Sequence, residues 1–462
     1  MILVKLDLGP AGPATLAAMA ATSFVTPFIA SAINIAIPAI GREFGGAASE
    51  VSWTVTGYLL TTAAALLPAG RLGDIYGRGN VFFVGLWGFV VSSLACAQAA
   101  TLGWLILFRS LSGLAAAMIF ATSMAILTTT YPVERRGLVL GINVTAVYLG
   151  GSMGPVLGGL LTEWYGWRSI FYFVMALSAL AALLARRGVP AETRRRGEGR
   201  FDLGGAVLNV MMLCALIFGC SELSASSSAW WFVVGGLGLV VLFVLWELRQ
   251  VQPLLEVRLF VRSRSFAMSN LAAMINYAAT FGIGFLLSLR LQIGMELSER
   301  VTGLILLAQP IAMTALSTYA GSLSDHIEPR FLASAGMGMT ALGLLALAFV
   351  GVHSSLWLTI GILFFIGVGF AFFGSPNNNA IMSAVPREYL GAASAMLATV
   401  RMTGMSFSMA LSATIISWEI GGGALSQADP IKLESGVHLA FLLFAGLCLL
   451  GTVASMSRGS RK

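Results

Sequence analysis

Charge is what this sequence has least of. Only 10% of its 462 residues are Asp, Glu, Lys or Arg, against 57% apolar, and the mean hydropathy is +0.87. Soluble domains carry about 25% charged and about 45–50% apolar residues, so a soluble globule of this size would lack the polar surface to cover itself. The same scarcity excludes disorder and a coiled coil. Cysteine is scarce too. Cys96, Cys214, Cys220 and Cys448 lie in apolar runs without a CxxC pair, which excludes a disulfide scaffold and makes them small buried hydrophobes. His326, His353 and His438 are scattered, and none has a metal-ligand spacing to a Cys or carboxylate. Neither a metal, a cofactor nor an enzymatic constellation is expected. The first thirteen residues hold one Lys and no cleavage pattern, so the apolar run after them reads as a retained span.

What is present is apolar length. A bilayer helix needs roughly 20 mainly apolar residues, and fourteen runs qualify: 14–40, 52–70, 81–100, 103–130, 137–162, 169–186, 203–222, 230–248, 265–289, 302–320, 331–350, 356–383, 390–418 and 437–456. The expectation is an all-α integral membrane protein with fourteen transmembrane helices and no soluble domain. Loop charge sets its orientation. With the N-terminus inside, twenty of the 27 Lys and Arg fall on the inner side, and only Arg42, Arg168, Arg290, Arg300 and Lys432 fall outside. Arg109 and Arg401 remain within spans. Both termini are therefore expected in the cytoplasm. The basic balance of +7 needs no nucleic acid to explain it, and the run Arg186–Arg200 reads as an anchor on anionic lipid.

The chain repeats itself. Gly70-Arg71-Leu72-Gly73-Asp74 after span two returns as Gly321-Ser322-Leu323-Ser324-Asp325 after span ten, and Pro132 and Gly137 return as Pro386 and Gly391. Two six-helix halves fit this spacing, at 1–186 and 265–462, with two extra helices, their linker and the following loop at 187–264. Such duplication marks a secondary transporter whose halves rock around a central site. Gly70, Asp74, Gly77 and Arg78 lie in a tight turn at the membrane edge. There Asp74 can accept from backbone N–H groups at a helix N-terminus, and Arg78 adds a charge-assisted bond. With Asp325 in the second copy, these residues are expected to latch one arrangement of the halves. In span five, Gly150, Gly154 and Gly158 make one bare face for close helix approach, and Pro155 bends the helix.

These strings resemble a known family. Gly70–Gly79 is similar to the signature loop of the major facilitator superfamily, and Arg109-Ser110-Leu111-Ser112-Gly113 resembles its second motif. Gly141, Gly150 and Gly154-Pro155-Val156-Leu157-Gly158-Gly159 resemble the motif of its antiporter members. Phe201–Gly205 and Trp246–Phe260 resemble the fourteen-span drug:proton antiporter branch. The resemblance implies a six-plus-two-plus-six fold, alternating access and proton exchange.

One departure matters. In those relatives the first helix carries an Asp ahead of an Asn…Pro pair, and aligning on Asn34 and Pro38 puts Ile29 there. No span interior holds an acid. If protons are coupled, Arg109 or the span-end glutamates Glu163, Glu222 and Glu419 must take part. Arg109 and Arg401 become buried cations that need carbonyls, hydroxyls, water or an anion, and Asn34 is placed to accept from Arg109. The cavity-lining helices that the resemblance implies offer Asn34, Tyr58, Arg109, Tyr148, Met274, Asn276, Phe281, Gln309, Asn377 and Arg401. The expected function is proton-coupled efflux of a small amphiphilic compound by a monomer in the cytoplasmic membrane. Its partners are that substrate, protons and the lipid bilayer. A carrier for organic anions or lipid-like amphiphiles, possible without coupling, is the first rival, and a non-transporting sensor or scaffold the second.

Overall fold

The computed structural model describes residues 12–189, 193, 201–223, 226, 228–386 and 389–458. The anchor residues Arg194, Arg195, Arg196 and Arg200 lie outside them, as does the side chain of Asp325. Helices account for nearly everything described, and pairing between extended segments is limited to one bridge, Ala47 to Ala424.

The first group runs α1 (Gly12–Phe44), α2 (Ala48–Tyr76), α3 (Arg78–Ala97), α4 (Leu102–Thr130), α5 (Val133–Tyr165) and α6 (Arg168–Gly188). Two helices follow, α7 (Leu203–Glu222) and α8 (Ala229–Arg249), then the short α9 (Arg258–Arg262). The last group is α10 (Arg264–Thr280), α11 (Gly282–Leu289) with a π turn over Arg290–Gly294, α12 (Glu299–Leu306), α13 (Ala308–His326), α14 (Pro329–Phe349), α15 (Leu356–Ser383), α16 (Leu390–Ile420) and α17 (Pro430–Met456). Direction alternates along the chain. The near end of the bundle holds the turns around residues 71–78, 131–133, 249–264 and 326–329, and the far end those around 44–48, 165–168, 294–299 and 420–430.

Twelve helical segments are long and apolar enough to cross a membrane, with α10, α11 and the π turn counting as one and α12 with α13 as another. That is two fewer than the expected fourteen. The shortfall is α2 and α16, which have the length, 29 and 31 residues, but are too polar. The reason is packing: both are rich in Ser, Thr, Gly and Ala and face protein on most sides, so neither needs a lipid-compatible surface.

Two expected continuous helices are broken. Proline at 310 has no N–H for the Leu306 carbonyl, and the chain resets at Leu307 between α12 and α13. Between α10 and α11 the Gly282 N–H leaves its own helix and donates to Ser408 Oγ of α16 at 2.8 Å. Elsewhere Thr101, Asp202, Ser263, Ser298 and Asp429 cap helix starts by accepting backbone N–H bonds.

The extra pair has a definite place. Asn209 of α7 donates to the Ala64 carbonyl of α2 at 2.8 Å, and Thr414 of α16 donates to the Cys220 carbonyl of α7 at 2.9 Å. Helix α7 thus lies over the line where the first and last groups meet.

Candidate functional site

The glycines of α5 serve two different contacts. A Cβ on Gly154 would lie 2.6 Å from Ser31 Cβ, and one on Gly158 2.8 Å from Ala32 Cβ, while one on Gly150 would run into the Phe24 carbonyl. All three seat α5 on α1, within the first group. Contact between groups falls instead to the next residue. Gly159 sits against the Glu299 carbonyl, and Gly303 of α12 against the Pro155 carbonyl. The face that meets the other group is therefore one residue round the helix from the stripe. A Cβ on Gly141 would meet no neighbouring element within 4 Å.

Polar contacts between the two groups gather at the far end. Arg42 Nη2 meets Glu299 Oε1 at 2.6 Å, and Glu163 Oε2 accepts from the Arg300 N–H at 3.0 Å. The Leu425 N–H donates to the Gly46 carbonyl at 3.0 Å, and Gln292 Nε2 to the Ile35 carbonyl at 3.0 Å. Deeper in, Ser152 and Thr314 hydroxyls are 3.5 Å apart. Among the described residues, no hydrogen bond ties the groups together at the near end. Of the other proposed coupling acids, Glu419 packs on Gly436 and Glu222 is half-buried at the end of α7.

Near the other end, Asp74 pairs with Arg78, accepting from Nε at 3.1 Å and from Nη2 at 3.0 Å. The pair is exposed, so the charge-assisted bond expected of Arg78 is present, while no backbone N–H of a neighbouring helix donates to Asp74 among the described residues. Gly77 turns at φ +93°, a conformation that glycine takes without strain. Gly70 faces Ala121 of α4, and Arg71 reaches Gln252 in the loop after α8. In the second copy, Asn379 Nδ2 donates to Ser324 Oγ at 3.1 Å.

Arg109 is sealed inside the first group. It is 1% exposed, its Nε donates to the Thr54 carbonyl at 2.8 Å, and its guanidinium carbon stands 4.3 Å from the Tyr58 ring centre and 5.8 Å from that of Phe171. Nη2 has no hydrogen-bond partner among the described residues. The motif residues beyond it lock α4 in place. Ser112 donates to Ser92 of α3 at 2.9 Å, and Thr62 of α2 to the Gly113 carbonyl at 3.1 Å. Asn34 does not accept from Arg109. It turns towards Gly284 of α11, and its Oδ1 is unpartnered among the described residues. Ile29 is 1% exposed, within the apolar core.

A second cluster forms between the groups. Tyr148 of α5 lies within electrostatic reach of Tyr277 of α10 and Arg401 of α16, and all three are half-buried. Phe370 of α15 crosses Tyr277 edge-on, with ring centres 5.7 Å apart. Gly404, one turn beyond Arg401, lets α16 approach the Met274 carbonyl and Tyr277. Phe281 and Gln309 are half-buried in the same group of helices, while Asn276 and Asn377 are buried with side-chain atoms unpaired among the described residues. Tyr277 and Phe370 were missed in the sequence. Tyr277 lies one turn from Met274, the only signal that pointed to it.

Arg290 is not in a loop. It is 2% exposed in the π turn, where Glu434 of α17 meets its Nη2 at 2.8 Å and its Nη1 donates to the Leu347 carbonyl at 3.1 Å. Neither residue was legible as a pair, because 144 positions separate them.

Comparison with known proteins agrees with this architecture. The Multidrug resistance protein Stp of Mycobacterium tuberculosis is 31% identical over 394 residues, covering 83% of this chain and 72% of its own. The Riboflavin transporter RibZ of Clostridioides difficile is 26% identical over 436 residues, 94% of each chain. The solved structure of a bacterial homologue of the human lysosomal transporter Spinster, inward-facing and unoccupied, superposes with a TM-score of 0.71 at 16% identity over 96% of each chain. A family model matches residues 19–408 and 269–459. The chain is a multi-pass membrane protein, a transporter in fold rather than an enzyme, and it belongs to the Major Facilitator Superfamily.

Proposed function

We propose that this protein exports small amphiphilic compounds across the cytoplasmic membrane by alternating access, with protons as the counter-flux. In this reading α2 and α16 complete fourteen crossings, the halves 1–186 and 265–462 flank the extra pair, and both termini face the cytoplasm. The carrying observation is the closed far end of the seam. Bonds between the groups close the far end, while Tyr148, Tyr277 and Arg401 stay half exposed between them. That is the arrangement of a carrier open to the side holding its termini. The names of relatives as multidrug resistance and export proteins support an outward direction.

Coupling without an acid at position 29 falls to the gate itself. Of the coupling candidates Glu163, Glu222 and Glu419, Glu163 alone accepts a bond across it among the described residues, from the Arg300 N–H. A proton on that carboxylate weakens the bond and eases the far end open. The test is reconstitution in liposomes loaded with a pH dye, with a substrate gradient imposed. Proton movement evoked by substrate, and lost in Glu163→Gln, is the expected result. Substrate flux without proton movement overturns the coupling and leaves a facilitator.

A further inference from the structure

The space between the groups holds a cation and no acid to balance it. Arg401 leaves α16 eleven residues after its start at Leu390, it is half-buried, and its Nε lies buried without a hydrogen-bond partner among the described residues. No carboxylate forms an ion pair with it among those residues. Within its electrostatic reach from the first group is a phenol, Tyr148, which also feels Tyr277 of α10. Every Asp and Glu of the long helices lies within two turns of a helix end, so none reaches the middle of the bundle.

Such a guanidinium is built to receive something. Its planar fork matches a carboxylate with two parallel bonds, and taking it out of water without an anion is costly. Aromatic rings lie close by: Tyr148 of the first group is within electrostatic reach of Arg401, Gly404 one turn on seats α16 against Tyr277, and Phe370 crosses Tyr277 edge-on. Rings of a ligand pack against these at little entropic cost. A cation placed there would meet Arg401 with no acid to offset the repulsion.

Resting on the export reading above, we infer that the substrates are aromatic carboxylates. The carboxylate is held by Arg401, and the ring system lies between Tyr148 and Tyr277 at the meeting of the two groups. Cationic dyes of similar size and hydrophobicity are rejected.

The test uses three probes with one ring: pyrenebutyrate, pyrenebutanol and pyrenebutylamine. Binding to the purified full-length protein in nanodiscs is measured by equilibrium dialysis, with empty nanodiscs subtracted. The acid is expected to bind about tenfold or more tighter than the alcohol, as a charge-assisted bond pair allows, and the amine weakest of all. Arg401→Gln should bring the acid down to the level of the alcohol. Arg401→Lys should keep part of the preference, and Tyr277→Leu should weaken acid and alcohol alike. If Arg401→Gln does not fold, the wild-type ranking still decides. Equal binding of acid and amine, no binding of the acid, or an acid preference that survives Arg401→Gln each overturns the inference. Protein that ranks the probes as expected but moves none of them across liposomes keeps the inference and sinks the export reading.

Discussion

The guanidinium of Arg109 stands over the ring of Tyr58 at 4.3 Å, so this buried cation is met by a π face where other proteins would place a carboxylate. A desolvated contact of this kind contributes about 2 kcal/mol. Tyr58→Phe keeps the ring and should melt close to wild type, while Tyr58→Leu should lose most of that stability in thermal unfolding. Arg109→Ala should abolish turnover in liposomes while still yielding monodisperse protein. Wild-type flux from that variant would remove Arg109 from the mechanism.

Gly150 and Gly141 share a helix and a motif but not a fate. A methyl on Gly150 meets the Phe24 carbonyl, which is backbone and cannot swing aside, while one on Gly141 meets nothing. Gly150→Ala should cost about 1–3 kcal/mol through overpacking, and Gly141→Ala should be neutral. Melting curves of the two variants side by side check this.

The contact of Arg42 with Glu299 offers a lock. Replacing both with cysteine and bridging the pair with a thiol-reactive cross-linker about as long as the two side chains should hold the far end shut and stop transport, and reductant that cleaves the bridge should restore it. Transport that continues through the cross-linked form would mean that the far end need not open. The native ion pair is half exposed on its arginine side, so Glu299→Gln alone should alter gate populations by a few-fold at most.

Ile29→Asp should not create a coupling site. The position is 1% exposed within the apolar core, so a carboxylate there would lose its water and the expected outcome is poor folding. Gain of substrate-driven proton flux in this variant would contradict that.

Arg290 and Glu434 form the buried pair of the last group. Glu434→Gln takes the counter-charge from Arg290, leaving the Leu347 carbonyl and the Phe441 ring, and should cost up to about 3 kcal/mol, the low end for a buried pair because Glu434 is a quarter exposed. Arg290→Met with Glu434→Leu should recover most of the loss, as read by thermal unfolding.

Helix positions were legible because apolar length is local: 203–222 and 356–383 coincide with α7 and α15. The breaks at Phe281 and Leu307 were not, since the first depends on Ser408 of a distant helix drawing off the Gly282 N–H. Site residues divide the same way. Arg109 and Arg401 stand out as charges in apolar runs, but what faces them depends on which helices meet. Thr54 and Tyr58 at one, and Tyr148 at the other, are fixed by packing between helices far apart in sequence. The glycine stripe announced close approach without saying to which neighbour.

Helix α7 gives one bond to α2 at Ala64 and takes one from α16 at Thr414. It runs as a baffle down one flank of the carrier. An amphiphile already dissolved in the lipid finds that flank walled off and is expected to enter sideways by the opposite one, between α5 and α13. Traffic with the membrane is then handed, and crowding on a single side of the protein, by lipid or by a neighbour, is enough to throttle it.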